Sequence, residues 1–262
     1  MKPVFNLGGI SVLTYIVVMA LAILIAVVLI RYYEIPVLKA RGQVHPNIVK
    51  YNGEVLLVAI IFTVIGARLG YVLVNWHLYT DDLLRILALW RGGLAYHGAL
   101  VSALLAVALH AFFRRMPLGR LLDLGIPYIA LAYGIGRLGC FLNGCCYGQA
   151  TDLPWGVAFQ AVDSLTRHPT QLYAAAAAVI IFLVLIRLNR REWVQQSTGG
   201  GFTFAWFLIL HGFYRFINEF YRVSEEWIGP ITMAQVVSLV IILGGAAIII
   251  VRKNVIGGQR DA

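Results

Sequence analysis

Charged residues are scarce in this chain. Of its 262 residues, 13% are charged, with 12 acidic against 21 basic side chains, while 60% are hydrophobic and the mean hydropathy is +0.81. A soluble domain has an apolar share of about 45–50%, so this composition excludes an ordinary soluble protein. Because the alternating pattern of a membrane β-barrel is also missing, the sequence predicts an all-α, polytopic membrane protein.

Features that would divide the chain are missing too. No internal repeat, low-complexity segment or long linker is evident, which predicts a single integral-membrane domain over residues 1–262. The first apolar run, about 10–30, is too long for the core of a cleavable signal peptide and lacks a clear cleavage site. We therefore interpret this run as the first membrane helix.

Apolar runs of roughly 20 residues, the length that spans a bilayer, recur along the chain. With the amino terminus outside, 13 of the 21 basic residues fall in cytoplasmic connections and 5 in outer ones. The positive-inside rule then predicts a cytoplasmic carboxyl terminus, and it explains the net charge of +9 without a nucleic-acid partner. The runs predict seven transmembrane helices, at about 10–30, 54–76, 94–113, 121–143, 170–188, 201–221 and 231–251.

Arg137 is the most informative residue of the sequence. It lies in the glycine-rich segment YGIGRLGCFLNGCCYG, 133–148, inside a predicted helix. An arginine at membrane depth costs about 2.5–3.5 kcal/mol on insertion scales and usually has a polar or anionic partner. The flanking glycines permit close helix packing or local unwinding, and unwound backbone beside a guanidinium suits a phosphate. The alternative is a structural salt bridge with Glu219 or Asp123.

Two other segments carry polar residues beside apolar helices. In HGFYRFINEFYR, 211–222, Arg215 and Glu219 lie four residues apart, which predicts an ion pair within one helix. Arg222 follows at the outer end, where it can bind a lipid phosphate or serve as an interfacial anchor. His97, in GGLAYHGAL, lies at the outer start of a helix. Its imidazole can act as a base near neutral pH or hydrogen-bond to a backbone carbonyl.

The three cysteines, Cys140, Cys145 and Cys146, all lie in one segment. Since there is no CxxC pattern and no neighbouring histidine, the spacing does not support a metal site, and small packing residues are the favoured interpretation. A disulfide from Cys140 to either of the other two is possible outside the cytosol.

A further polar segment precedes the fifth predicted helix. Arg167 and His168 lie just before its start, and this position suits an anion. Thr170 is a candidate N-cap for the same helix.

Five segments together resemble the prolipoprotein diacylglyceryl transferase family of the bacterial inner membrane. They follow the family's motifs in order and at fitting distances, so the resemblance covers nearly the whole chain. The segments are GARLGYVL (66–73), GGLAYHGAL (92–100), GRLGCFLNGCCYG (136–148), RHPTQLY (167–173) and FYRFINEFYR (213–222).

The resemblance implies a transferase that moves the sn-1,2-diacylglyceryl group from phosphatidylglycerol to the lipobox cysteine thiol of a prolipoprotein and releases glycerol-1-phosphate. It implies no cofactor and no metal, a multi-pass location in the bacterial cytoplasmic membrane, and an active site toward the outer leaflet. The expected partners are phosphatidylglycerol, prolipoprotein signal peptides and membrane lipid, without nucleic acid.

The resemblance also assigns roles by position. Two arginines, Arg137 and Arg222, would stabilise the charge that develops on the phosphate leaving group, and His97 is the candidate base for the acceptor thiol. The implied catalytic residues are Tyr15, His97, Arg137 and Arg222, and the implied substrate-binding residues are Arg137, Arg222, Asn143, Gly148, Arg167 and His168.

The chain departs from the family's usual signature at two positions, with Cys140 in place of asparagine and Cys145 in place of glutamate. A cysteine cannot replace the carboxylate's charge, so a relative acting on another phospholipid or acceptor is one alternative. A Cys140–Cys145 disulfide that rigidifies the loop is a further hypothesis. A non-catalytic binder or transporter of anionic lipid is the second alternative, and the missing partner half of an inverted repeat counts against it.

Overall fold

The computed structural model describes residues 4–7, 10–80, 82–88, 93, 95–159, 162–191, 199–223 and 231–260, with side chains from residue 17 onward except at 96–97 and 253–260. These residues group into two compact units. One joins Met1–Gln43 to Leu122–Ala262, and the other is Val44–Leu121. The single domain over 1–262 stays a prediction.

Helices dominate both units, and two short antiparallel sheets accompany them. The strands are β1 (Val4–Leu7) paired with β2 (Ile10–Leu13), and β3 (Val157–Ala158) paired with β4 (Thr166–Arg167). All seven predicted helices are present, with shifted ends. The helices are α1 (Thr14–Leu29), α2 (Ile35–Ala40), α3 (Pro46–Val74), α4 (Tyr96–Phe113), α5 (Leu118–Leu142), α6 (Thr170–Asn189), α7 (Phe202–Glu219) and α8 (Met233–Arg260).

Five helical stretches are long and apolar enough to cross a membrane, and a shorter apolar stretch covers Gly98–Phe113. Their large apolar side chains are extensively exposed, which suits contact with lipid rather than water. The chain is therefore an all-α, polytopic membrane protein, as the sequence predicts. The five stretches are Val17–Ala40, Pro46–Val74, Leu118–Leu142, Thr170–Asn189 and Met233–Arg252.

The two largest errors of the helix prediction before the last helix have local causes. The start at residue 10 is wrong, because Ile10–Leu13 pairs with Val4–Leu7 and the helix begins at Thr14. β-Branched residues such as those in this segment fit a strand. The start at residue 54 is also wrong, since α3 begins at Pro46. There the His45 ring accepts a hydrogen bond from the Asn47 N–H at 3.2 Å, and proline suits the first helical position.

Buried carboxylates fix the helices of the first unit. Glu34 is fully buried and accepts hydrogen bonds from the Tyr128 hydroxyl at 2.9 Å and from Arg190 Nη2 at 2.6 Å. Asp123 of α5 accepts from the N–H groups of Gly201 at 2.6 Å and Phe204 at 2.8 Å. A carboxylate at this position satisfies the free N–H groups of the first turn of α7 and favours its dipole.

In the Val44–Leu121 unit, glycines let α3 and α4 pack closely. A Cβ added at Gly98 would lie 2.2 Å from the Gly66 carbonyl oxygen, and one added at Gly66 would lie 2.1 Å from Ser102 Cβ. Only glycine fits such an approach. The glycines of GARLGYVL and GGLAYHGAL at these positions therefore have a packing role.

Candidate active site

Arg137 lies half-buried near the end of α5. Its guanidinium carbon is 4.7 Å from the centre of the Tyr133 ring, a cation–π distance. The two carboxylates considered as its salt-bridge partners, Glu219 and Asp123, are engaged elsewhere, and among the residues that the structure describes no carboxylate pairs with Arg137. The salt-bridge alternative is thus excluded for these two acids, and a partly desolvated cation is left for a ligand.

The glycines beside Arg137 serve packing rather than unwinding, since α5 is continuous from Leu118 to Leu142. A Cβ at Gly134 would lie 2.9 Å from Ala178 Cβ, and one at Gly136 would lie 2.7 Å from Met19 Sδ. These contacts draw α1 and α6 close to the turn that carries Arg137.

At the end of α7, Glu219 faces two arginines. Its buried carboxylate forms the predicted ion pair with Arg215, which is thereby confirmed, and its Oε2 lies 3.7 Å from Arg222 Nε. The Thr232 hydroxyl donates to Oε1 at 3.2 Å. Among the described residues at this end of the helix, one negative charge lies between two guanidinium groups, which together carry an excess of positive charge.

Gly148 lies where three segments cross. Its backbone pairs with that of Arg222, and its N–H donates to the His168 carbonyl at 2.9 Å. A Cβ at this position would lie 2.3 Å from the Tyr221 carbonyl oxygen and 2.8 Å from Thr170 Cγ2. Glycine is therefore required here, and it ties the loop after α5 to Arg222.

The segment between Arg137 and Gly148 carries the three cysteines, Cys140 in the last turn of α5 and the other two in the loop that follows. All are free thiols, so the disulfide that the spacing allows is not formed in this structure. Their sulfur atoms lie within 4.8 Å of one another. The Cys140 thiol, followed by the guanidinium groups of Arg222 and Arg137, lowers the pKa of Cys146 below its usual value, against the opposing effect of burial.

Two buried polar side chains of α6 form hydrogen bonds to this loop. The Thr170 hydroxyl donates to the Cys146 carbonyl at 2.8 Å, and Gln171 Nε2 donates to the Cys145 carbonyl at 2.7 Å. The N-cap role predicted for Thr170 is wrong, because Pro169 occupies that position and Thr170 is the first helical residue. Its hydroxyl bonds to the loop instead of to its own helix.

Arg167 is engaged by neighbouring groups. Its Nη2 lies 2.5 Å from Asp163 Oδ2, its Nη1 donates to the Gly148 carbonyl at 3.4 Å, and its guanidinium lies over the Tyr147 ring. The hydrogen bond with Asp163 raises the pKa of Arg167 and lowers that of the carboxyl. Beside it, His168 Nδ1 lies 3.2 Å from the Tyr173 hydroxyl.

Asn143 directly follows α5, and its N–H donates to the Gly139 carbonyl at 3.0 Å. Its placement one residue after the helix puts it between Arg137 and the cysteine loop along the chain. The roles assigned to Asn143, Arg167 and His168 in substrate binding stay predictions.

A cleft of about 590 Å³ opens beside His168, between α6, α7 and the loop after α5. Two polar atoms near it, the Tyr214 hydroxyl and Asn218 Oδ1, are buried without a hydrogen-bond partner among the described residues. An apolar cleft with a few polar groups is typical of a site for a small amphipathic ligand. Its lining includes Trp155, His168, Tyr173, Phe213, Tyr214 and Tyr221.

The two remaining site residues are described by their backbones alone. His97 lies in the first turn of α4, in the Val44–Leu121 unit, and Tyr15 is the second residue of α1. Their side chains lie outside the described residues, so their roles as base and catalytic residue stay predictions.

Comparison with known proteins identifies the chain. The family model described as prolipoprotein diacylglyceryl transferase matches residues 2–251. The chain belongs to the prolipoprotein diacylglyceryl transferase family.

Relatives named phosphatidylglycerol–prolipoprotein diacylglyceryl transferase are similar over most of their length. One from Geobacter sulfurreducens is 34% identical over 210 residues, covering 77% of this chain and 79% of its own. One from Cupriavidus necator is 36% identical over 204 residues, covering 75% and 73%. One from Finegoldia magna is 30% identical over 256 residues, covering 97% and 96%.

Three motifs of this transferase-family chain meet in the structure. GRLGCFLNGCCYG, RHPTQLY and FYRFINEFYR come together where the Gly148 N–H bonds to His168 and the Gly148 backbone pairs with that of Arg222. Sequence reasoning missed the part played by Gln171 and by Tyr133. Gln171 lies inside a recognised motif, which was the available signal. For Tyr133 the signal was its spacing, since it lies four residues before Arg137 on the same helix.

Proposed function

We propose that this protein transfers the sn-1,2-diacylglyceryl group of phosphatidylglycerol to the lipobox cysteine thiol of prolipoproteins. The acceptor sulfur attacks C3 of the glycerol unit, the bond between C3 and the phosphate oxygen breaks, and glycerol-1-phosphate leaves with the electron pair. A thioether forms and the thiol proton is released. The reaction needs groups that stabilise a phosphate leaving group and groups that favour thiolate over thiol.

The observation that carries this proposal is the state of Arg137. It is half-buried on an apolar helix, it contacts the Tyr133 ring, and no carboxylate pairs with it in the described part of the chain. A phosphate diester is a suitable partner, because guanidinium binds phosphate oxygens through two parallel hydrogen bonds. Membership of the transferase family supports phosphatidylglycerol as that ligand.

Arg222 is the second member of the proposed phosphate clamp. The backbone pairing with Gly148 supports this role, because it ties Arg222 to the loop that follows Arg137. Its Nε is buried without a hydrogen-bond partner among the described residues, and it lies 3.7 Å from the carboxylate that Arg215 already neutralises. The Arg222 guanidinium can therefore donate a hydrogen bond to the departing phosphate.

The other roles rest on the family resemblance. His97 is the proposed base that accepts the proton of the acceptor thiol, Tyr15 assists catalysis, and Asn143 and Gly148 shape the phospholipid site with Arg167 and His168. The apolar cleft beside His168 suits an acyl chain, since it offers aromatic surface and few polar groups.

We place these residues in a seven-span frame of the bacterial inner membrane, with the amino terminus outside and the active site toward the outer leaflet. The excess of basic residues in the alternate connections supports this orientation. The acceptor cysteine approaches from the outer side in this arrangement.

Purified protein in phosphatidylglycerol-containing micelles tests the function. It is incubated with a lipobox peptide, and mass spectrometry detects the diacylglyceryl adduct. We expect an adduct on the peptide cysteine, lost in Arg137→Ala and in a peptide whose cysteine is replaced by serine. No adduct from folded protein, beside an active enzyme of the same family, contradicts the proposal. Varying the headgroup and the acceptor in the same assay identifies a divergent substrate.

A further inference from the structure

The fold builds a cluster of sulfur atoms that the cysteine spacing does not suggest. The Sγ atoms of Cys140, Cys145 and Cys146 lie within 4.8 Å of one another. Among the described residues these form the one group of three or more cysteine, histidine or acidic side chains close enough to share a metal ion. Cys140 sits in the last turn of α5, and the other two follow in the loop.

The loop conformation that gathers the sulfur atoms is held in place. Gly144 has φ +67° and Cys146 has φ +62°, a left-handed conformation that residues other than glycine rarely adopt. The Cys145 N–H closes the turn by donating to the Cys140 carbonyl at 3.1 Å. Strained backbone of this kind persists where the surroundings determine it, and it is frequent at functional sites.

Those surroundings are the two α6 side chains. Thr170 and Gln171 are each 1% exposed, and they bond to the carbonyl groups of Cys146 and Cys145 respectively. Fixing the carbonyls from the side of α6 orients the two loop cysteines without using their sulfur atoms.

Sulfur chemistry and charge limit the ligand. Three thiolates select a soft cation such as Zn²⁺, and at a Zn–S distance of about 2.3 Å tetrahedral ligands are roughly 3.8 Å apart, so the sulfur atoms would move inward by no more than about 1 Å. Three thiolates with Zn²⁺ carry a net charge of −1. Arg137, one turn before Cys140 on the same helix, supplies a nearby positive charge.

We propose that Cys140, Cys145 and Cys146 bind a thiophilic divalent cation, Zn²⁺ by its chemistry, and that its fourth coordination position receives the acceptor cysteine of the prolipoprotein. Zinc sites with three protein ligands and one open position are catalytic rather than structural in type. The second half of this inference rests on the proposed function, whereas the metal site itself does not.

The consequence for the reaction is direct. In this inference the cation takes over the task proposed for His97. A thiol that coordinates the cation is deprotonated, so its proton leaves to solvent and the acceptor is presented as a thiolate. Its lone pair forms the bond to C3, the C3–O bond breaks, and the electron pair leaves with the phosphate beside Arg137. The thioether product is neutral and a weak ligand, and it departs from the cation.

Metal titration tests the site without any assay of activity. Full-length protein in detergent is reduced, freed of metal with a chelator and titrated with Cd²⁺, whose bond to thiolate gives an ultraviolet charge-transfer band, and then with Zn²⁺ in competition. We expect one equivalent bound, and a loss of affinity of about tenfold or more in each of Cys140→Ser, Cys145→Ser and Cys146→Ser. Ala150→Ser, which adds a hydroxyl to the same loop, serves as the matched control.

Absence of the band in the reduced, folded protein overturns the proposal. A metal affinity in all three serine variants that equals that of the wild type overturns it too. A disulfide between two of the cysteines in the protein as purified, with no metal bound once that disulfide is reduced, also overturns the proposal. If a serine variant fails to fold, protection of the wild-type thiols from maleimide by Zn²⁺, read by mass spectrometry, replaces it. Lack of protection has the same meaning as lack of the band.

Activity then separates the two halves of the inference. We expect metal removal to lower transfer to the lipobox peptide about tenfold or more and Zn²⁺ to restore it, while Arg137→Ala keeps metal binding and loses transfer. Full transfer by metal-free protein overturns the role of the fourth position. No transfer by zinc-loaded protein contradicts the proposed function, and the titration alone then decides the metal site.

Discussion

Arg68 and Arg137 are both arginines on apolar helices, one in each compact unit, and they differ in what surrounds them. Arg68 is 5% exposed, and it donates to the carbonyl groups of Ile86 at 2.8 Å, Arg85 at 2.6 Å and Gly93 at 3.1 Å. Arg137 has an aromatic ring as its described neighbour and no carboxylate in the described part of the chain. A buried arginine alone therefore does not indicate a ligand site. What distinguishes a ligand site is whether other groups of the protein already bind the guanidinium.

The largest effect is expected at Arg137. Arg137→Ala should lower transfer about 100- to 1000-fold, because the developing charge on the phosphate loses a guanidinium donor group. Thermal stability in detergent should change little, since no ion pair is lost. Arg137→Lys should recover little of the activity if two parallel hydrogen bonds hold the phosphate. Full transfer by Arg137→Ala would remove this residue from the phosphate site and break the comparison.

Arg68→Ala should show the opposite pattern. Buried carbonyl groups lose their donor, so we expect the free energy of unfolding to fall by about 3 kcal/mol or more. Thermal unfolding followed by size-exclusion chromatography measures the change as a lower melting temperature. The protein that remains folded should keep its affinity for phosphatidylglycerol. A loss of that affinity at unchanged stability would place Arg68 in the same class as Arg137.

The sequence predicted those features of the molecule that depend on residues close together along the chain. Its hydropathy predicted all seven helices, because each is a local apolar run, and the errors arose at ends set by a strand at Ile10–Leu13 and a cap at His45. The spacing of Arg215 and Glu219 predicted their ion pair for the same reason. The role of Arg68 depends on a loop some twenty residues away, which no local pattern contains.

The cysteine cluster illustrates the same limit. Positions 140, 145 and 146 do not form a metal-binding spacing, so packing was the favoured interpretation. Their sulfur atoms meet because Gly144 and Cys146 adopt left-handed conformations and because Thr170 and Gln171 hold the loop from α6. A contact between residues more than twenty positions apart leaves no periodic signal in a single sequence.

Gly148 sharpens the comparison at the level of backbone, since it links the loop after Arg137 to Arg222. Gly148→Ala should lower transfer about 10- to 100-fold, because the added Cβ would lie 2.3 Å from the Tyr221 carbonyl oxygen and displace both segments. Gly125→Ala is the control, as its Cβ would meet nothing within 4 Å and alanine favours a helix. Equal activity of the two variants would show that the crossing of segments at Gly148 does not position the site.

The smallest effect is expected at the ion pair of Arg167 with Asp163, which lies outside the helices. The Arg167 guanidinium, through its hydrogen bond, holds the pKa of Asp163 below its usual value. The contribution of this carboxylate to stability is therefore present above the unfolded pKa of about 4 and is lost as the pH falls through the lower, folded pKa. Asp163→Asn should lower the melting temperature slightly at neutral pH, and the difference from the wild type should vanish in acid.

Asp152→Asn is the control for this pair, because Asp152 is an exposed acid of the same loop without an ion pair among the described residues. Its melting temperature should match that of the wild type. The same variants measure whether Arg167 takes part in phospholipid binding. If Asp163→Asn leaves the affinity for phosphatidylglycerol unchanged, Arg167 orders the loop and belongs with Arg68. If the affinity rises, the freed guanidinium reaches the phosphate, and Arg167 belongs with Arg137.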